Sequence, residues 1–405
     1  MLILASREED NLSRLKKITE RLSCSSMEKQ SPYAPIRFRG HFWCKYALSA
    51  AKEGHISADG RISGDLQNMI DKYLVTAYIT EFYDVVKSKS DASHLVNIQA
   101  AKIELLRHWV PIAAQYEQCG RQIFDLDDKL VQLLTHTDLG ECSLEGLNFP
   151  YDTFFVRFGR QEHVKIPFEG EQFEYLDGAF IARTPYDGDG SFRLKIGFTT
   201  CKIDGSGVTL PGYFIDILPS EQKLHAAASI EAAITRRLLE LADTDDASAS
   251  EKSFNSYRRA EVNDSATLLR AGSTLLVNAL FYLESVREKQ PEPEPGRDTP
   301  PEQVTKWVQT TPAKRYKQKS VLFASGYTVV RLMGRELVSD TPSQGDKNVV
   351  KAHWRRGHWR LQRHGEELSM QRKIWIKPVM VGADHHIDQE LSGHIYVTEN
   401  TNKMH

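Results

Sequence analysis

The stretch that most limits the folds open to this chain is Leu275-Leu276-Val277-Asn278-Ala279-Leu280-Phe281. It is the centre of a helical pattern from about Ser265 to Val286, and it is apolar almost all round. A surface helix keeps one polar side, so a helix without one is buried between layers. The layers come from the sequence before it. Thr153 to Phe158 is β-branched and aromatic. Phe192, Leu194, Ile196 and Phe198 alternate with Arg193, Lys195, Gly197 and Thr199, which predicts a strand with one buried face. Tyr213 to Leu218 reads as another strand, bounded by Pro211-Gly212 and Pro219. A helix begins near Ser220 and carries Ile230, Ala233, Ile234, Leu238 and Leu241, and the polar stretch Asp243 to Ser256 separates it from the apolar helix. Strands followed by packed helices define an α+β domain.

The flanks differ in character. The first 145 or so residues read as helical. Ser6 and Glu9 form a capping box ahead of Leu12, Leu15, Ile18 and Leu22. Leu66, Met69, Ile70, Tyr73, Leu74, Ala77 and Tyr78 form a one-sided stripe. A third helix runs from about Ser93 to Trp109, where Pro111 interferes with its continuation. Beyond the apolar helix, Gln290-Pro291-Glu292-Pro293-Glu294-Pro295-Gly296 reads as an extended, solvated linker. Val321 to Leu332 reads as a strand, and Ile374 and Ile376 alternate with Lys373, Trp375 and Lys377 as in a half-buried strand. The expected layout is a helical N-terminal region at 1–145, an α+β domain of sheet and helix at 146–288, a Pro/Glu linker at 289–303, and a small, basic, β-rich C-terminal module at 304–405.

Charge sharpens the picture of that module. The whole chain of 405 residues has a net charge of −2. Between Lys306 and Lys377, sixteen Lys or Arg face five Asp or Glu, a balance of +11, which leaves −13 for the rest. The asymmetry implies an anionic partner, an acidic face elsewhere on the protein, or an internal ion-pair interface between the two parts. The five cysteines, Cys24, Cys44, Cys119, Cys142 and Cys201, show no Cys-x-x-Cys spacing, which argues against a zinc ribbon and a disulfide framework and fits a reducing cytoplasm. The apolar N-terminal run is too short for a signal sequence, and no apolar run approaches the ~20 residues of a membrane span. The expectation is a soluble cytoplasmic protein with no membrane partner. Asp187-Gly188-Asp189-Gly190 lacks the later ligands of a calcium loop and reads as a tight turn.

The candidate site is the octet His353-Trp354-Arg355-Arg356-Gly357-His358-Trp359-Arg360, echoed by Arg372-Lys373-Ile374-Trp375-Ile376-Lys377-Pro378. Arginine beside an aromatic grips planar or anionic partners through bidentate hydrogen bonds and stacking. The candidate binding residues are Trp354, Arg355, Arg356, Trp359, Arg360, Arg372 and Trp375. His353 and His358 are the weak catalytic candidates, as an acid–base pair of a nuclease. Their five-residue spacing does not match a helical metal pair, and neither a metal nor a cofactor is expected. Binding is favoured over catalysis. Trp354 and Trp359 would lie on opposite faces of a regular strand, and a bulge at Gly357 would bring them to one side. The alternative is that the tryptophans are the module's own core.

The string Lys351 to Arg360, followed by Arg372 to Gly382, resembles the C-terminal signature of a family carried on phages and plasmids. That family includes a type V-A anti-CRISPR protein that suppresses biogenesis of its effector nuclease. Phe149-Pro150-Tyr151-Asp152-Thr153-Phe154-Phe155-Val156, Leu176-Asp177-Gly178-Ala179-Phe180, the Phe192 to Phe198 strand, the helix around Leu275 to Leu283 and Ala324 to Gly334 are similar too, so the resemblance spans about Phe149 to Gly382. It implies a recognition protein. Its target would be a CRISPR effector protein, or that effector's N-terminal peptide as it leaves the ribosome, with loss of the message being translated. A basic aromatic module would suit contact with the ribosome or RNA. The alternatives are an RNA- or DNA-binding accessory protein of a phage or plasmid, and a histidine-dependent nuclease.

Overall fold

The structure, a computed structural model, describes residues 31–39, 53–56, 108–167, 173–186, 190–203, 213–242, 249–335, 337 and 353–381. The helices expected around Ser6 to Leu22 and Leu66 to Tyr78, and most of the one from Ser93 to Trp109, lie outside those residues. The fold is α+β around a mixed sheet. The strands are β1 (Ile123–Leu126), β2 (Thr137–Asp138), β3 (Thr153–Pro167), β4 (Phe173–Pro185), β5 (Phe192–Cys201), β6 (Phe214–Ile217), β7 (Glu294–Pro295) and β8 (Val329–Met333), followed by β9 (His353–Arg355), β10 (Gly357–His364), β11 (Met370–Ile376) and β12 (Val379–Val381). Seven of them form one sheet in the order β6-β5-β4-β3-β1-β8-β7. The hairpin-linked half from β3 to β6 is antiparallel, while β1 lies parallel to both β3 and β8.

Both faces of this sheet are covered. The longer helices are α1 (residues 108–118), α2 (Asp128–Thr135), α3 (Ala226–Ala242), α4 (Ala249–Ser285), α5 (Pro301–Gln309) and α6 (Arg315–Ala324). Alternate strand residues part to opposite sides, as the two-residue repeat of a strand requires. Phe124, Phe154, Val156, Ile181, Ile196 and Phe198 meet α2, α3 and α4 in one core. Ile123, Phe155, Phe180, Ala182 and Phe214 meet Trp109, Ile112, Tyr116, Tyr33 and Phe38 in the other. The apolar centre of α4 is buried from Leu275 to Leu283, as its composition demands.

Several local readings change. β5 is buried on both faces, because α1 closes the side expected to meet solvent, with Gly197 lying under the Trp109 and Phe214 rings. α1 passes through Pro111 and runs on to residue 118. Packing of Trp109, Ile112 and Tyr116 outweighs the ladder hydrogen bond that proline removes. α4 begins at Ala249, so part of the polar stretch before Ser265 is helical. Only the end of Val321 to Leu332 is strand. Residues up to Ala324 complete α6, whose Leu322 is buried, and β8 starts at Val329. Ala266–Ser285 does have the length and hydropathy of a membrane-crossing helix, contrary to the sequence reading, but 72% of it is buried inside the protein. The Pro/Glu segment is anchored: Glu294–Pro295 pairs with β8, and Gly296 N donates to Thr328 O at 2.9 Å.

A polar node holds these pieces together. Asp125, wholly buried in β1, accepts from Arg157 of β3 at 2.9 Å and from Arg297 Nε at 2.8 Å. The Tyr33 hydroxyl donates to its second oxygen at 2.9 Å and accepts from Arg297 N at 3.0 Å. A second buried pair, Arg37–Asp177 at 2.6 Å, fastens the same N-terminal segment to β4. Removing one partner of a buried ionic group leaves the others unpaired. Asp125→Asn is therefore expected to cost about 3–5 kcal/mol of stability. Arg297→Ala should cost less, since that side chain is 40% exposed. Urea-unfolding midpoints of the two variants measure the difference, and small, equal losses would contradict this account.

Candidate functional site

The octet is divided between two sheets. β9 pairs with β12, whereas β10 runs antiparallel to β11 and parallel to the short β2. The chain breaks at Arg356 between β9 and β10, and the β10–β11 ladder is regular from His358 to His364. The bulge expected at Gly357 is thus absent, and a strand break stands in its place. Gly357 is required for a different reason. A Cβ there would lie 2.5 Å from Ile376 O and 2.6 Å from the Pro378 ring. Gly140 plays the same part on the other side, since its φ is +59° and a Cβ would meet Trp359 O at 2.6 Å. Both glycines let backbone approach backbone.

The regular ladder sorts the side chains of β10 and β11 into two faces. Trp359 and Trp375 are directly opposite each other and stack with ring centroids 5.9 Å apart. Their face packs on α4. Trp359 is buried edge-on against Phe281 at 5.6 Å, and Trp375 meets Tyr282 at 5.7 Å. The indole N–H groups are satisfied inside. Trp359 Nε1 donates to Asn278 Oδ1 at 2.7 Å, and Trp375 Nε1 donates to Thr137 Oγ1 at 3.1 Å. Asn278 Nδ2 donates in turn to Thr137 O at 3.0 Å and Leu134 O at 3.2 Å. Lys373, also on this side, pairs with Glu284 of α4 at 2.9 Å.

The opposite face carries His358, Arg360, Gln362 and His364 across from Ile376, Ile374, Arg372 and Met370. His358, Arg360, Arg372, Met370 and Ile376 are exposed there, and so are Arg355 and Arg356 beside it. Among the described residues none of these arginines pairs with a carboxylate; Arg360 donates to Gln362 Oε1 at 3.1 Å. Among the described residues β11 is one of the two outer strands of its sheet, the other being β2. Trp354 stacks on His136, at the C-terminal end of α2, with centroids 4.7 Å apart. Burial, then the nearby His163 and Arg356, hold the His136 pKa below the usual histidine value.

The seven binding candidates are therefore brought to one end of the protein but not to one surface. Trp359 and Trp375 build core, Trp354 braces His136, and Arg355, Arg356, Arg360 and Arg372 face solvent. His353 and His358 fall on separate strands. Sequence reasoning missed Asn278, whose signal was a single amide within the apolar run of α4. It also passed over Arg315, Lys319 and Arg331, which line a cleft with Trp307. Their signal was the acid-free stretch from Gln303 to Arg335, with seven Lys or Arg.

The β10–β11 hairpin is thus two-faced, with its aromatic side packed into the α+β core and its cationic side exposed. A family model described as AcrVA2-like, the anti-CRISPR type V subtype A2 family, matches residues 124–383, and the chain belongs to that family. The match runs from the second residue of β1 to just past β12. A crystal structure of AcrVA2 is similar at 14% identity and a TM-score of 0.33, covering 85% of this chain and 96% of that chain. No curated protein matches the chain.

Two outcomes follow from the geometry. Trp359→Ala should destabilise the protein by about 3–5 kcal/mol, while Arg360→Ala and Arg372→Ala should stay within about 0.5 kcal/mol, as read by chemical denaturation. For His136 the folded state prefers the neutral ring, so the unfolded chain binds the proton first as the pH falls. Stability present above the usual histidine pKa of about 6.5 is then lost as the pH drops through that value. Unfolding midpoints measured at neutral and at mildly acidic pH should fall less in His136→Phe than in the parent.

Proposed function

We propose that this chain is an anti-CRISPR recognition protein that binds a type V effector, or the effector's N-terminal peptide as it is synthesised, and lowers effector production. The observation that carries the reading is β11. It is an outer strand, held rigid by the stacked Trp359 and Trp375, and it borders an exposed face of Arg360, Arg372, Met370 and Ile376. An emerging peptide is extended, and an extended peptide binds by adding a strand to such an edge, with the neighbouring side chains supplying selectivity. Arg355 and Arg356, outside the β10–β11 ladder, would contact ribosomal RNA phosphates. Family membership supplies the CRISPR context. The setting would be the cytoplasm of a bacterial host, with the gene carried by a phage or plasmid.

The test is co-expression with a type V effector in bacteria, following effector protein and its message. Both should fall severalfold. Synonymous recoding of the effector's first codons should preserve the loss, and changing the encoded peptide should abolish it. An effector level untouched by the chain, or a loss that follows the codons and not the peptide, would overturn the proposal. Arg355→Ala with Arg356→Ala should keep peptide capture but weaken ribosome association, and that association should fall steeply with salt.

A further inference from the structure

A cluster of cations beside a cavity lies away from the octet. α5, α6 and β8 border an open cleft of about 250 Å³, lined by Arg315 and Lys319 of α6 and by Arg331 of β8, with Glu292 the one carboxylate in its wall. The surrounding sequence makes the imbalance unavoidable, because residues 303–335 contain no Asp or Glu. Among the described residues none of the three cations has an ion-pair partner. Arg331 donates to Gln122 Oε1 at 2.8 Å, and Lys319 Nζ donates to Gly120 O at 3.0 Å. The Arg315 guanidinium lies 5.5 Å from the Trp307 ring centroid, and its buried Nε has no hydrogen-bond partner. The first turn of α6 has neither an acidic residue nor a side-chain cap, so its positive end adds to the field.

We propose that this cleft is a binding site for the phosphate of a nucleotide, with Arg315, Lys319 and Arg331 on the phosphate oxygens and the Tyr316 ring against the base. Two guanidinium forks and an ammonium line one cleft, two of them from α6 and one from β8, which suits a group with several terminal oxygens. Tyr316 lines the same cleft and is 67% exposed, a free aromatic face on which a base can stack. The volume falls just under the roughly 300–1,000 Å³ of drug-sized pockets, which fits one nucleotide and excludes a folded partner. An acidic peptide would satisfy the cations but leave the ring unused. Burial and the adjacent Arg121 and Arg331 also lower the Lys319 pKa, a crowding that a bound phosphate relieves. The site is separate from β11 and does not depend on the peptide reading.

Calorimetric titration of the full chain with adenosine monophosphate, adenosine and a polyglutamate peptide tests the site. Adenosine monophosphate should bind saturably, and adenosine at least tenfold more weakly. Arg315→Ala with Lys319→Ala should weaken the nucleotide at least tenfold, whereas Arg287→Ala on the exposed turn after α4 should not. If the double variant loses its thermal transition, Arg315→Lys and Tyr316→Ala carry the test, each with a loss of at least threefold. A short single-stranded RNA with a 5′-phosphate, compared with its 5′-hydroxyl form, distinguishes an RNA end from a free nucleotide as the source of the phosphate. No saturable binding of either phosphate form, an affinity unchanged in the variants, or polyglutamate binding as tightly as the nucleotide would each overturn the proposal.

Discussion

The carboxylate of Asp125 is the interaction on which the arrangement of the chain depends. β1 is only four residues long, yet it joins the antiparallel half of the sheet to β8 and so to everything after α4. Four residues of ladder bond its neighbours weakly. The buried ionic node supplies what the strand lacks, because Arg157, Arg297 and Tyr33 reach one carboxylate from three distant parts of the sequence. Such a node adds little net stability compared with apolar packing, but it is intolerant of wrong partners. It therefore selects one registration of β1 between β3 and β8.

Asn278 does the same work on the opposite side of the sheet. A lone amide in an apolar helix is costly unless every group is bonded. Here it receives the Trp359 N–H and satisfies two carbonyls at the end of α2 and in β2. The end of α2 and the start of the C-terminal hairpin are thereby fixed to one point on α4. The aromatic face of the hairpin completes the main core, and that packing restrains the strands that carry it.

Much of this was legible in the sequence. β-Branched and aromatic composition located the start of β3, alternation located β5, Pro-Gly and Pro boundaries located β6, and the all-round apolar centre of α4 announced a buried helix. What alternation cannot report is how many faces are covered. Lys195 and Gly197 look solvent-facing until α1, about ninety residues earlier, supplies a second layer. Val321 to Leu332 shows a related limit. Its apolar, β-branched residues suit a strand, but Leu322 is buried by a helix that then turns at Gly326, where φ is +87°. In the octet the residue types were informative and the sorting was not. Trp359 and Trp375 could be assigned to the core only once the β10–β11 register placed them opposite each other against α4.

The excess of positive charge between Lys306 and Lys377 takes a different meaning once it is folded. Among the described residues it does not form one basic face. One part rims the cleft of α5, α6 and β8, and the other lies on the outward side of β10 and β11. Only Lys373 within the hairpin is spent on an internal pair, with Glu284. The ion-pair interface that could have absorbed the excess therefore accounts for little of it among the described residues. Cations left unpaired repel one another and raise the energy of the fold, a cost that a bound anion offsets. The two surfaces differ in what they can accept. The cleft is small and concave, with an aromatic ring at its wall, whereas the hairpin is open and lies along a strand edge. A compact anion suits the first and an extended polymer the second, so the two proposed contacts would draw on one basic stretch.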